Sequence, residues 1–161
     1  MAEPRSRIEV PADARDIAGD FAQAEAHAHR AAEPVSATPA WHVVALAARI
    51  RALLGRGEIA EAKRVAEEAN QKLTALGRTK TFESFARLVI AEARIAALDE
   101  RGARDALTVA SRRLFERAAK ITDPKVRASF LTRIPDNART VDLARSWGCT
   151  PEGKTATTTT G

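Results

Sequence analysis

The sequence predicts an all-α chain of antiparallel helical hairpins, stacked as a short α-solenoid, and three observations carry that expectation. Aromatic residues make up 4% of the 161 residues and tyrosine is absent, while alanine and arginine dominate, with leucine and glutamate well represented; this is the composition of tightly packed helices. One phrase occurs twice, as "GDFAQAEAHAHRA" from Gly19 and "GEIAEAKRVAEEA" from Gly57, 38 residues further on. Apolar residues recur at intervals of three and four rather than alternating, which is the spacing of a helix face.

Within the echoed phrase the stripe is Phe21, Ala24, Ala28 and Ala31 in the first copy, and Ile59, Ala62, Ala66 and Ala69 in the second. Each copy is one amphipathic helix. The leading glycine suits the end of a preceding helix and the acid after it complements the next helix's N-terminal dipole, so each copy implies a hairpin.

The second hairpin is expected to run from Pro39 or Trp41 to Leu54, to turn at "GRGE", and to return from Glu58 to Leu76, with Gly77 closing it. In the third, Phe82, Phe85, Leu88, Val89, Ile95 and Leu98 mark a helix of about 20 residues. "DERG" is its turn, and Ala103, Leu107, Ala110, Leu114, Ala118 and Ile121 mark the partner helix. This copy is offset from the second by about 44 residues. A shorter pair follows. Asp123 caps a helix from Pro124 to Arg133, Pro135 breaks the chain, and Asp136 or Asn137 caps a last helix that presents Val141, Leu143, Ala144 and Trp147 and ends at Gly148. The expected organisation is a flexible N-terminus over residues 1–10, a helical-repeat domain over 11–148 and a disordered threonine-rich tail over 149–161. Pro4 and Pro11 leave only Ala12 to Ala18 for the helix that should precede the first echo. That N-terminus reads as a degenerate cap or as the end of something longer.

The glycine, acid, apolar and small-residue order of the two phrases resembles the turn and second helix of the tetratricopeptide repeat (TPR), with the small positions at Ala24, Ala28 and Ala31, and at Ala62, Ala66 and Ala69. The resemblance implies close helix packing at those residues and a concave groove lined by the first helices. Departures are Ile50, where a small residue is expected, the missing tyrosines, and spacings above the usual repeat length. The segment "ITDPKVRASFLTRIPDNARTVDLARSWG", Ile121 to Gly148, is similar to endings of helical-repeat regions in large bacterial signalling proteins such as serine/threonine kinases, cyclases and ATPase-type transcription regulators.

Reactive groups do not converge in the sequence. His27 and His29 are two apart and so point about 200° apart on a helix, unlike an i, i+4 metal pair. His42 reads as a surface residue at a helix start, Cys149 as an incidental thiol, and Glu67, Glu68, Asp99 and Glu100 as solvated charge. Phosphate-loop, dinucleotide, zinc-protease and nucleophile-elbow motifs are absent. No enzyme activity, cofactor or metal is expected. The single cysteine and the lack of an apolar leader or an 18-residue apolar run predict a cytoplasmic, soluble protein.

The net charge of +5 is concentrated at the C-terminal side, where residues 101–147 carry 11 basic and 5 acidic groups. A face of that kind is ordinarily solvated, and the alternative function is a nucleic-acid-associated regulator that uses it. The favoured function is a non-catalytic protein-interaction module, regulatory or scaffolding in bacterial signalling. Its partner would be a protein or peptide segment with apolar anchors, such as part of a kinase or ATPase-type regulator. The groove that the resemblance implies comprises Ala47, Arg51, Leu54, Ala91, Ile95 and Leu98.

Overall fold

The computed structural model describes residues 39–79 and 82–151. The first echo, the stretch 1–10, His27, His29 and residues 152–161 lie outside the described residues. Among those described, every regular element is a helix: α1 (Pro39–Gly55), α2 (Ile59–Leu76), α3 (Glu83–Ala96), α4 (Glu100–Ala118), α5 (Pro124–Thr132) and α6 (Pro135–Ser146).

Three turns of one design set the register. After α1, the Gly57 N–H donates to the Leu54 carbonyl at 3.1 Å and the Glu58 N–H to the Leu53 carbonyl at 2.9 Å. After α3, Leu98 and Asp99 donate to Ile95 and Arg94, both at 3.0 Å, and after α6, Gly148 and Cys149 donate to Arg145 and Ala144 at 3.2 and 2.7 Å. This paired closure needs a left-handed residue at its centre. Gly57, Leu98 and Gly148 supply it, with φ of 74°, 57° and 64°.

Leu98 therefore takes the glycine position, and the offset between the α1–α2 and α3–α4 hairpins is 41 residues, correcting the expected 44. At that offset the buried stripe Ala62, Ala66, Ala69 and Leu73 of α2 falls on Ala103, Leu107, Ala110 and Leu114 of α4. Ile50 falls on Ala91. The third helix is accordingly shorter than predicted and α4 begins earlier. Gly102, read as part of the turn, sits inside the first turn of α4, where its N–H donates to the Asp99 carboxylate at 3.0 Å. A Cβ there would stand 2.6 Å from Asp99 Oδ2, so this glycine serves the cap and not the turn.

From Leu98 to Gly148 the interval is 50 residues. The excess over 41 equals the nine residues of α5, whose Asp123 cap, accepting from the Lys125 and Val126 N–H groups at 2.8 and 3.2 Å, is as predicted. The helix breaks before Pro135, at Arg133 and Ile134, as predicted, but Pro135 itself opens α6 behind Ile134, so neither Asp136 nor Asn137 is the cap. Asn137 instead donates to the Phe130 carbonyl at 2.9 Å and ties α6 to α5. Helix α6 packs on α3 and α4 as α3 packs on α1 and α2.

Two apolar clusters follow from this order. Val43, Leu46, Ile50 and Leu53 of α1 meet Val65 and Leu73 of α2 and Val89 and Ile90 of α3. Leu88, Leu107, Leu143, Ala144 and Cys149 form the second, between α3, α4 and α6. Cys149 was placed in the tail by sequence, yet it is buried, and its carbonyl accepts from Ser111 Oγ at 2.7 Å. The packed part thus extends past Gly148. No helix among the described residues is long and apolar enough to cross a membrane.

Candidate functional site

The six residues expected to line the groove separate into four groups. Ala47 and Ala91 are completely buried and offer no surface. Their small side chains lie at helix crossings: Ala47 is in the cluster shared by α1, α2 and α3, and Ala91 is in the cluster closed by Leu143 and Ala144 of α6. Leu54 and Ile95 are half-buried and pack against the edges of those clusters. Leu98 is 87% exposed, but it belongs to the turn after α3 and not to a helix face.

Arg51, the last of the six, has both a charged and an aromatic partner. Its Nη2 donates to Asp136 Oδ1 at 3.0 Å, and its Cζ lies 4.6 Å from the centroid of the Phe85 ring. Next to it, Arg139 Nε donates to Glu92 Oε1 at 3.1 Å. Helices α1, α3 and α6 thus present, side by side, a balanced row of two cations and two anions with Phe85, Leu54 and Ile95 among them. The expected groove included Arg51, Leu54 and Ile95 and left out Phe85, Glu92, Asp136 and Arg139. Phe85 meets Arg51 through the packing of α3 on α1, while Asp136 and Arg139 reach Arg51 and Glu92 only through the placement of α6, which no local spacing announces.

A second concavity lies where α1 and α3 begin and α2 ends. Trp41, Val43, Val44, Leu73, Leu76, Phe82 and Ala86 line it, together with Arg78, Thr79 and Glu83, around a volume of about 380 Å³. Trp41 and Phe82 hold its rim with ring centroids 5.7 Å apart. Apolar lining with a few polar groups at the edge suits an aliphatic or aromatic side chain.

The basic excess of residues 101–147 is partly consumed inside the fold. Glu83, 5% exposed, lies 2.8 Å from Arg87 Nε and 3.6 Å from Arg113 Nε. Glu116 faces Arg113 and Arg78 at 3.7 and 3.6 Å. Arg117 donates to Ser84 Oγ at 3.0 Å and Arg104 to the Trp147 carbonyl at 2.7 Å, while Arg127 donates twice to the Ile121 carbonyl. Arg101 and Arg112 are exposed on α4, Lys125 on α5 and Arg145 on α6, with Lys120 and Arg133 just past the ends of α4 and α5, so the exposed charge is spread over three helices and their ends.

The carboxylates read as solvated charge are mostly engaged. Glu67 accepts from Arg94 Nε and Nη2 at 3.1 and 2.9 Å, and Glu68 lies 3.8 Å from His42, which is half-buried and not a free surface residue. Asp99 caps α4 and meets Lys63 at 3.1 Å; the Gly102 N–H, and after it Lys63, hold its carboxyl below the usual range. Glu61 is likewise lowered, chiefly by its hydrogen bond from Arg64. Among the described residues no three His, Cys, Asp or Glu side chains are grouped to hold a metal ion.

No family model, no curated protein and no solved structure matches this chain.

Proposed function

We propose that the chain is a non-catalytic protein-interaction module: a short TPR-like array whose first helices, α1, α3 and α6, together form the contact surface. The observation that carries this reading is the register. The turns at Gly57 and Leu98 and the buried stripes of α2 and α4 coincide at an offset of 41, and α6 packs on α3 and α4 as α3 packs on α1 and α2. Arrays of this kind repeat one helix face across successive units, and such a face suits an extended segment or a partner helix. Here it offers Phe85, Leu54 and Ile95 for apolar anchors, and the row Arg51, Asp136, Glu92 and Arg139 for charge matching, which favours encounter and orientation more than raw affinity. The similarity of residues 121–148 to the endings of helical-repeat regions in bacterial signalling proteins supports a regulatory or scaffolding setting, with a kinase or ATPase-type regulator as the partner class.

Photo-crosslinking tests this. A photoreactive residue at position 139, on the proposed face, is compared with one at position 112 on α4, both in the full chain in cells. The proposal expects one protein to be captured from position 139 and not from 112. Equal capture at both positions would remove the face from consideration. Nucleic acid captured from position 112, with binding that falls steeply with salt, would favour a regulator that acts through the basic side.

A further inference from the structure

Helix α1 is apolar on every side. Of its 17 residues only His42, Arg49 and Arg51 carry polar side chains, and each marks a flank. His42 reaches Glu68 and Arg49 reaches Glu61 on the α2 side, while Arg51 lies over Phe85 on the α3 side. Val43, Leu46, Ala47, Ile50 and Leu53 point between those two neighbours into the core. What remains is an outer face of Trp41, Val44, Ala45, Ala48 and Ala52, and a helix that is hydrophobic all round needs cover all round. Trp41 is 54% exposed, whereas Ala52, about 200° around the axis from Ile50, is buried at 1%.

The repeat says what kind of element belongs there. At the offset of 41, this outer face corresponds to Phe82, Phe85, Ala86, Val89 and Ala93 of α3. Ala86, Val89 and Ala93 are fully buried in the cluster that contains Ala62, Ala66, Ala69 and Leu73 of α2. A first helix in this fold thus receives, on this face, the second helix of the hairpin before it. The opposite end of the array is finished differently: α6 turns Asp142, Arg145 and Ser146 to solvent, a polar end that needs no cover.

We propose that residues 19–31 of this chain form the helix that occupies the outer face of α1. They directly precede α1 and repeat the α2 stripe, with Phe21, Ala24, Ala28 and Ala31 standing for Ile59, Ala62, Ala66 and Ala69. Glu33-Pro34 ends a helix just beyond them, leaving residues 33–38 as a connection of the same length as 77–82, which joins α2 to α3. Small side chains on both surfaces allow the close approach that Ala62, Ala86 and Ala93 show one unit later. The inference is independent of which partner the α1, α3 and α6 surface takes.

Thiol labelling of the full chain under native conditions tests it, with the buried Cys149 as an internal monitor of the fold. Ala48→Cys is the reporter and Thr108→Cys, exposed on α4, is the reference. The expected result is that Ala48→Cys reacts at least about tenfold more slowly than the reference, because local opening must precede reaction. Adding Phe21→Asp and Ala28→Asp should bring it to the reference rate while Cys149 stays protected. Labelling of Ala48→Cys at the reference rate in the otherwise unchanged chain would overturn the proposal. So would protection that survives both aspartates, or protection that disappears on dilution, which would assign the face to a second copy.

Discussion

Leu98 holds a φ of 57° in the turn where Gly57 holds 74° one hairpin earlier, and the two turns make the same pair of backbone hydrogen bonds. A left-handed conformation costs a β-carbon-bearing residue about 1–2 kcal/mol, and the Leu98 side chain, 87% exposed, recovers little of that by packing. Leu98→Gly should therefore stabilise the chain by roughly 0.5–1 kcal/mol once the greater freedom of glycine in the unfolded state is subtracted. The reverse change, Gly57→Leu, meets no atom within 4 Å at its Cβ, so its cost should be the backbone strain less the same unfolded-state difference, again roughly 0.5–1 kcal/mol. Denaturant midpoints of the two variants check both signs.

The small residue at the start of the α2 stripe makes a second prediction. Ala62 is completely buried in the α1–α2–α3 cluster, while Ala60, two residues earlier, is exposed. Ala62→Phe should destabilise by about 1–3 kcal/mol through overpacking. Ala60→Phe should stay within about 0.5 kcal/mol of the parent. Thermal melts of the pair separate a packing effect from a general intolerance of aromatics in α2.

These two sites also show why part of the fold was legible in the sequence. The stripe of α2 and the glycines at positions 57 and 77 fix α1 and α2 to within about a residue, because periodicity and left-handed closure are local properties. The boundary between α3 and α4 was misplaced because the turn there has a leucine at its left-handed position, while the nearby Gly102 drew attention to itself. Ala47 and Ala91 were assigned to an open groove, although a small residue in a stripe signals two backbones close together and hence burial. Arg51 stood in the expected groove without a partner to explain it: Asp136 is 85 residues away, and a contact of that range leaves no local pattern to read.

Glu83 carries a third prediction. It is nearly buried and bonds the equally buried Arg87 at 2.8 Å. Removing the carboxylate leaves a guanidinium out of water without its counter-charge, so Glu83→Ala should cost about 3 kcal/mol or more. Adding Arg87→Leu to that variant removes the stranded charge and should restore most of the loss. Urea unfolding of the single and double variants decides the matter; equal stabilities would mean that Arg87 finds another partner.

Asp99 should give the α4 cap a pH dependence. The Gly102 N–H and Lys63 favour its charged form in the folded chain and hold its pKa below the unfolded value. A depressed carboxyl pKa contributes stability above the unfolded pKa and loses it as pH falls through the folded one. The stability difference between the parent and Asp99→Asn should accordingly be constant from about pH 7 down to pH 5 and shrink below about pH 4. A difference that grows on acidification would contradict the assignment of the cap to the carboxylate.

The Arg51–Asp136 pair is the most informative of the contacts that hold α6 across α3 onto α1. Both side chains are partly exposed, 43% and 34%, so the ion pair itself should contribute only about 0.2–1 kcal/mol. The Arg51 guanidinium over the Phe85 ring adds about 0.5–1 kcal/mol of a contact that Asp136 does not share. Arg51→Ala should therefore cost more than Asp136→Ala, and a double-mutant cycle should return a coupling of about 0.5 kcal/mol. The structural consequence should exceed the energetic one. Helix α6 is anchored to α1 by this contact and to α3 through Glu92–Arg139, so amide exchange should quicken over Pro135–Ser146 in Arg51→Ala while α1 and α2 keep their protection. Exchange that quickens uniformly through all six helices would instead mean that the pair stabilises the whole fold, and that α6 is no separate unit of opening.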